Sequence, residues 1–583
     1  MHRIAVSWTQ HRLVRLHWRP LFLLSAIGVA EYLSPWRAAG RFVAVVLAAA
    51  LTGQFLWDSL RQVRRAAGLQ AVLRARFLEL ALTAAALALL ASKVFVWVQF
   101  LPDPTARQSL DPVYRQYAAA FLVVSGLRLV VGEFRVRRLL HRLELRPAQT
   151  VAMGFACAIL AGTLLLSLPP AVTSLETVSM LNALFTATSS VTVTGLTVYN
   201  IGTFHTPLGQ AIILCLIQLG GLGTMAASAS LVILAGRRLR LRTAAALQES
   251  MDLQTVGEVT DQIRTIVLTT LAAEGVGTVF LFLGWRDHPA VGSALFAAVF
   301  HSVSAFCNAG FSIFSENLLL FRDHLPTNAI VCGLIILGGL GFPVIHDVQT
   351  MASQWIRGQR VVINLHTRLA LLSTGLLLVA GAGAVFLVES GGVLAGLPWF
   401  SRLPSAVFQS VTARTAGFNT LDVGAMQPAT LWLLMLLMFV GGCPGSTAGG
   451  IKTTTAAAMA AALWATLTGR DRVEAFRRTI PAEQVAKALA VVGVSMAVIA
   501  AVTLGLLSTE FDSPLALTFE AVSAFGTVGL STGVTAGLSE WGKLFVMGAM
   551  FVGRIGPLTL GFALAVRERR SRVAYPAEKI MIG

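Results

Sequence analysis

One short segment recurs four times along this chain: TSSVTVTGL at 188–196, SAFCNAGF at 304–311, TARTAGF at 412–418 and SAFGTVGL at 523–530. The turn glycines Gly195, Gly310, Gly417 and Gly529 lie 115, 107 and 112 residues apart. Self-similarity at a near-constant period means one unit repeated, each copy burying what its neighbours leave open. Each copy reads as a long apolar helix, a shorter semi-polar stretch, the glycine turn and a second long helix.

Composition says where such a unit can exist. Of the 583 residues, 55% are hydrophobic and 13% charged, with a mean hydropathy of +0.73. Soluble chains carry about 25% charged residues. The stretches 77–101, 148–168 and 485–507 are almost free of charge. Each is long enough to cross a hydrocarbon core about 30 Å thick. The net charge of +17 does not point to nucleic acid, because the basic residues fall between apolar segments, at 61–76, 135–146, 237–242, 357–368, 470–478 and 567–572. That alternation marks the cytoplasmic side of a multi-pass protein of the cell (inner or plasma) membrane, with both termini inside. The five cysteines show no CxxC spacing and the ten histidines are scattered, so neither a disulfide framework nor a metal site is expected. No catalytic constellation appears, so the chain reads as a non-enzyme that binds no cofactor. The basic N-terminus, with Arg3, Arg12, Arg15 and Arg19, resembles a signal peptide but lacks a small-residue cleavage site and reads as retained.

The fold class expected is an all-α polytopic membrane protein. It has four parallel helix–pore-helix–helix repeats around a pseudo-fourfold pore, plus about four extra N-terminal membrane helices. The divisions fall at 1–147 (N-terminal membrane extension), 148–250 and 251–366 (pore repeats one and two), 367–480 (repeat three, with a gate loop) and 481–583 (repeat four and a cytoplasmic tail). If each short stretch dips in and returns, every repeat crosses twice and starts again on the cytoplasmic side. All copies then point the same way, unlike the inverted repeats of many transporters.

Stretches such as 182–190 and 514–524 are too short to span. Non-helical backbone at membrane depth is allowed only where it packs on protein or lines a water-filled cavity. A half-helix ending in Thr-Val-Thr-Gly or Gly-Thr-Val-Gly offers carbonyls that can replace the hydration shell of a cation, and its C-terminal dipole end favours one. A single such glycine would read as a packing site. Four, each after a short helix and before a long one, point to a cation filter.

In the third repeat the apolar run 429–440 meets GGCPGSTAGGIKTTT at 441–455 before resuming at 456–467. Five glycines and a proline cannot hold a straight helix. The break is expected under the filter. It superficially matches a phosphate-binding loop, but Ile451 separates Gly450 from Lys452 and no strand precedes it, so that reading fails. Arg554 is a charge inside an apolar run, which is costly and points to a cavity or partner. The glycines at 220–223 and 338–343 read as kinks and close-packing sites.

These residues together resemble the Trk/Ktr/HKT superfamily of potassium transporters, in particular its Ktr/Trk membrane subunits, over residues 148–583. The resemblance implies a selectivity filter whose ligands are backbone carbonyls of Thr192, Val193, Thr194 and Gly195; Cys307, Asn308, Ala309 and Gly310; Arg414, Thr415, Ala416 and Gly417; and Gly526, Thr527, Val528 and Gly529. Sodium-selective members typically have serine at the first filter glycine, so Gly195 favours potassium. The resemblance also implies a mobile gate loop, carried here by Gly441, Gly442, Pro444, Gly445, Ser446, Thr447, Gly449, Gly450 and Lys452, with Arg554 beside it as an electrostatic barrier. A homodimer and a cytosolic nucleotide-binding RCK-type ring, binding ATP/ADP or NAD(H), are implied as partners. The function expected is potassium uptake through the gated filter, with no metal other than the potassium ion that passes. A sodium-permeable member of the same superfamily is the alternative. A sodium-coupled transporter of an organic solute would need inverted repeats and midplane ionisable residues, and neither is visible. Arg135, Arg138 and His141 at every third position suggest a voltage sensor, but few lie inside an apolar run and they read as a cytoplasmic flank.

Overall fold

The computed structural model describes residues 45–52, 90, 94, 147–173, 179–223, 256–289, 291–359 and 363–556. Nearly all of the N-terminal extension lies outside the described residues. So do the basic clusters at 61–76, 135–146, 237–242 and 567–572, the junction between repeats one and two, and the tail.

What is described is helical apart from a short antiparallel hairpin, Glu474–Ala475 with Arg478–Thr479. The first unit holds α1 (Pro147–Leu166), α2 (Met180–Thr192) and α3 (Pro207–Gly221). The second holds α4 (Val256–Trp285), α5 (Ala294–Phe306), α6 (Leu325–Leu340) and α7 (Phe342–Ile356). The third holds α8 (Leu365–Glu389), α9 (Trp399–Thr412), α10 (Pro428–Phe439) and α11 (Thr453–Leu467). The fourth holds α12 (Ala482–Thr509), α13 (Pro514–Gly526) and α14 (Glu540–Ile555). Among the described residues, three helical stretches are long and apolar enough to cross a membrane alone: Thr265–Trp285, Leu365–Glu389 and Ala482–Thr509.

The helices after the glycine turns start with a proline, a side-chain cap or both. Proline opens α3, α6 and α10, where its missing N–H costs nothing. Thr206 caps α3 by accepting from the Gly209 N–H at 3.3 Å, and Ser539 caps α14 from the Gly542 N–H at 3.1 Å. The semi-polar helices α2, α5, α9 and α13 run only 13, 13, 14 and 13 residues. At 1.5 Å per residue each is about 20 Å long, short of a full span.

Each short helix packs against the long one before it: α1 on α2, α4 on α5, α8 on α9, α12 on α13. Each also meets the outgoing helix of the preceding unit, α3 with α5, α6 with α9 and α10 with α13, while α14 returns to α2. The contacts therefore close on themselves. Small residues permit this approach, since a Cβ on Gly220, Gly338 or Gly553 would strike the carbonyl of Val191, Phe306 or Phe525 near the end of a short helix.

Candidate functional site

The end of each short helix is built to a common pattern. Two residues before the turn glycine the backbone is left-handed without being glycine: Val193 (φ 56°), Asn308 (59°), Thr415 (69°) and Thr527 (50°). The turn glycines follow with φ of 92°, 68°, 80° and 89°. A β-branched residue in this region is a genuine outlier and persists only where its surroundings over-determine it. Here the helix end does so. The N–H groups of Val193, Asn308 and Thr527 reach back to the carbonyls of Ser190, Ala305 and Ala524 at 3.1–3.2 Å. The next N–H groups, of Thr194, Ala309 and Val528, reach those of Ser189, Ser304 and Ser523 at 2.7–2.9 Å. This is the Schellman closure, and it uses the turn's donors on the helix. The third turn is tied differently, Ala416 and Gly417 both donating to Thr412. Hydroxyls add straps, Ser304 to the Phe311 carbonyl and Thr412 to the Phe418 carbonyl, both at 2.8 Å.

Most of the donors are spent, and the acceptors are not. Among the described residues, no carbonyl of 193–195, 308–310, 415–417 or 527–529 accepts a hydrogen bond. These residues are nearly all buried, and buried carbonyls are ordinarily paired. The four turns also meet in sequence around a ring. A Cβ on Gly195 would strike the Ala309 carbonyl, one on Gly310 that of Ala416, one on Gly417 that of Val528, and one on Gly529 that of Thr194. The structure thus brings all four predicted turns together, with glycine where backbone meets backbone.

The predicted gate loop lies against this ring. Val440 and Ile451 form an isolated parallel bridge, so the chain leaves α10 and re-enters α11 at one place. Between them the loop is held mostly by partners far away in sequence. The N–H groups of Cys443 and Thr447 donate to Gly339 and Gly338 at 2.9 and 3.2 Å, and the Phe342 N–H donates to the Gly445 carbonyl at 3.1 Å. Arg414 Nη2 donates to Gly441 at 3.1 Å, and Lys452 Nζ donates to Ala448 at 2.7 Å. Arg554, buried at 6% exposure, donates to the carbonyls of Thr447 and Gly220. Thr447 Oγ1 reaches the Phe306 carbonyl at 3.2 Å. Gly449 faces Thr527 so closely that a Cβ could not fit, Gly441 faces Thr415, and Gly450 faces Gly526. A Cβ on Gly442 would crowd Ala448 and the Gly339 carbonyl, and the Pro444 carbonyl abuts Gly341.

Comparison with known proteins places the chain in a family. The family described as TrkH, cation transport protein, matches residues 147–571. The chain belongs to that family. Over 440 residues, 75% of this chain and 97% of the relative, it is 38% identical to Ktr system potassium uptake protein B of Bacillus subtilis. It is 37% identical to the potassium/sodium uptake protein NtpJ of Enterococcus hirae over 449 residues, 76% of this chain and 98% of the relative. The fold matches the crystal structure of the potassium transporter TrkH from Vibrio parahaemolyticus with a TM-score of 0.61 at 19% identity, covering 84% of this chain and 98% of that one. This TrkH-family chain is therefore a membrane protein of a transporter family, with several membrane-competent helices.

Two features are not apparent from the sequence. The repeated motif singles out the four turn glycines, whereas four non-glycine residues, Val193, Asn308, Thr415 and Thr527, are left-handed as well. The only sequence signal is their constant place, two before each glycine. The segment 338–343 is kinked, as expected, by 101° between α6 and α7 with Gly341 at φ 85°, but that its freed backbone groups hold the loop 441–450 is not visible in the sequence.

Proposed function

We propose that this chain takes up potassium ions through a filter formed by the carbonyls of 192–195, 307–310, 414–417 and 526–529, closed from below by the loop 441–452 and Arg554. The supporting observation is the ring of turns whose carbonyls have no protein donor. Oxygens left unpaired in a buried ring suit a monovalent cation that has shed its water. Four repeats, at 148–250, 251–366, 367–480 and 481–583, would each supply one turn to a pseudo-fourfold pore, with 1–147 as an N-terminal membrane addition. Both termini would face the cytoplasm. With the interior negative, each entering cation gains about 2.3 kcal/mol per 100 mV, enough for accumulation without chemistry in this chain. The names of the Ktr and TrkH relatives support potassium. A homodimer on a cytosolic nucleotide-binding RCK ring is the assembly that the resemblance favours, the nucleotide being held by the ring.

Glycine at all four turns favours potassium over sodium, although NtpJ is named for both ions. The test is rubidium uptake into proteoliposomes with competing sodium, for the wild type and Gly195→Ser. At φ 92° against the Ala309 carbonyl, serine has no strain-free place. The expected result is at least a tenfold fall in preference for rubidium. An unchanged preference refutes the filter.

A further inference from the structure

Behind two of the four turns lies a second layer. His301 sits on α5 nine residues before Gly310, and Glu520 on α13 nine residues before Gly529. Both are fully buried. His301 Nδ1 lies 2.8 Å from the Ala297 carbonyl, which can only accept. That nitrogen therefore carries the proton, and in the neutral ring Nε2 accepts from Ser312 Oγ at 2.9 Å. Ser312, two residues past Gly310, in turn accepts from the Phe314 N–H at 3.0 Å.

The fourth turn repeats this plan with other chemistry. Glu520 Oε1 accepts from Thr535 Oγ1, which also bonds Ser531 Oγ at 2.9 Å. Ser531 lies two residues past Gly529 and accepts from the Gly533 N–H at 3.0 Å, as Ser312 does from Phe314. Glu520 Oε2 has no partner, and among the described residues no cationic side chain pairs with Glu520. An uncompensated carboxyl in an apolar layer is expensive to bury and is not what packing alone would select. The other two turns lack the strap. At the equivalent place the Thr186 hydroxyl is spent on the Asn182 carbonyl at 3.0 Å. In the third unit, one residue shorter here, Gln409 stands three before Thr412 as His301 stands three before Ser304, and its buried side-chain amide has no hydrogen-bond partner among the described residues. Gly310 touches the turns of Gly195 and Gly417, not that of Gly529, so the two strapped turns stand opposite each other.

We propose that His301 and Glu520 are positioning residues for ion selection: through Ser312 and through Thr535 with Ser531, they hold the chain just past two opposed turn glycines. They thereby set how closely the carbonyls of those turns approach the ion. The proposal rests on the filter reading above. Selectivity of a carbonyl cage depends on its size and stiffness, and a limb tied on its far side is stiffer than one held by the helix end alone.

The test is rubidium uptake with competing sodium in proteoliposomes of the full chain. Ser312→Ala and Thr535→Val cut the straps from the loop side with little change of volume, so they remain informative if variants at His301 or Glu520 do not fold. Each is expected to lower the preference for rubidium over sodium at least fivefold. Glu520→Gln keeps an accepting oxygen and is expected to stay within twofold of wild type. Equal loss of both ion fluxes at unchanged preference means a structural role only and overturns the proposal. So does a Glu520→Gln preference as low as that of Thr535→Val, since charge rather than the strap would then act. Gly195→Ser run alongside separates the two readings. If it shifts preference while both strap variants do not, the straps fall and the filter stands. If none shifts, both fall.

Discussion

The turns proposed as the filter and the loop proposed as the gate are both irregular backbone inside an apolar protein, and they handle their polar groups in opposite ways. In the turns at 193–195, 308–310 and 527–529 the N–H groups are mostly satisfied within their own helix ends, and the carbonyls are left over. In the loop at 441–450 most carbonyls are taken as well: Gly441 by Arg414, Gly442 by the Thr453 N–H, Cys443 by the Ser446 N–H, Gly445 by Phe342, Thr447 by Arg554 and Ala448 by Lys452. Unpaired buried acceptors are costly unless a ligand meets them. The first arrangement suits a surface that binds and releases cations. The second suits a plug, stable while its partners stay and movable when they leave. Local bonds hold the turns, and bonds across more than a hundred residues hold much of the loop.

The largest expected effect tests that contrast at its root. Deleting 445–449 removes the segment that bonds Gly338, Phe342 and Arg554. Rubidium uptake without any regulatory subunit should rise at least tenfold with ion preference unchanged, and a deleted form that stays shut means the loop is no gate. Next comes Arg554→Gln, which loses a charged donor to Thr447 and Gly220. Bonds to charged groups are worth about 1.5–3 kcal/mol, and 1.4 kcal/mol is tenfold, so a leak on the order of tenfold is expected in the same uptake assay. Wild-type tightness would place the holding force elsewhere. Gly341→Ala should leak less, by several fold. At φ 85° and ψ 145° the backbone is in a region open essentially to glycine, which costs alanine on the order of 1–3 kcal/mol, and its Cβ would sit 2.5 Å from the Pro444 carbonyl. Smallest is Thr453→Val, which loses only the weak 3.1 Å contact to the Cys443 sulfur and should change the leak by less than about twofold. Measuring preference alongside leak sharpens the comparison. Gly449 and Thr527 touch, so a gate variant that also changes preference would make filter and gate one mechanical unit.

Much of this site was legible beforehand because its information is local. Four glycines at near-equal spacing announced four equivalent turns, and short helices before them follow from semi-polar stretches such as 182–190. The break in the third unit was legible too, since no helix survives five glycines and a proline. The left-handed Val193 was not legible. Valine ordinarily avoids that region, and only the helix end and the neighbouring turns hold it there. Nor could the gate loop's partners be read. Gly338 carries no mark that pairs it with Thr447, nor Gly220 one that pairs it with Arg554, because a backbone carbonyl has the same chemistry at every position.

Sequence alone determined that this chain is membrane-embedded, fourfold in its internal repetition and interrupted at 441–452, since hydropathy, period and helix breakers act through near neighbours. Tertiary structure decided which turn meets which, which carbonyls stay free and which segments hold the loop. Those are contacts between residues that meet only when the units pack, and their energy exists only at the distances packing imposes.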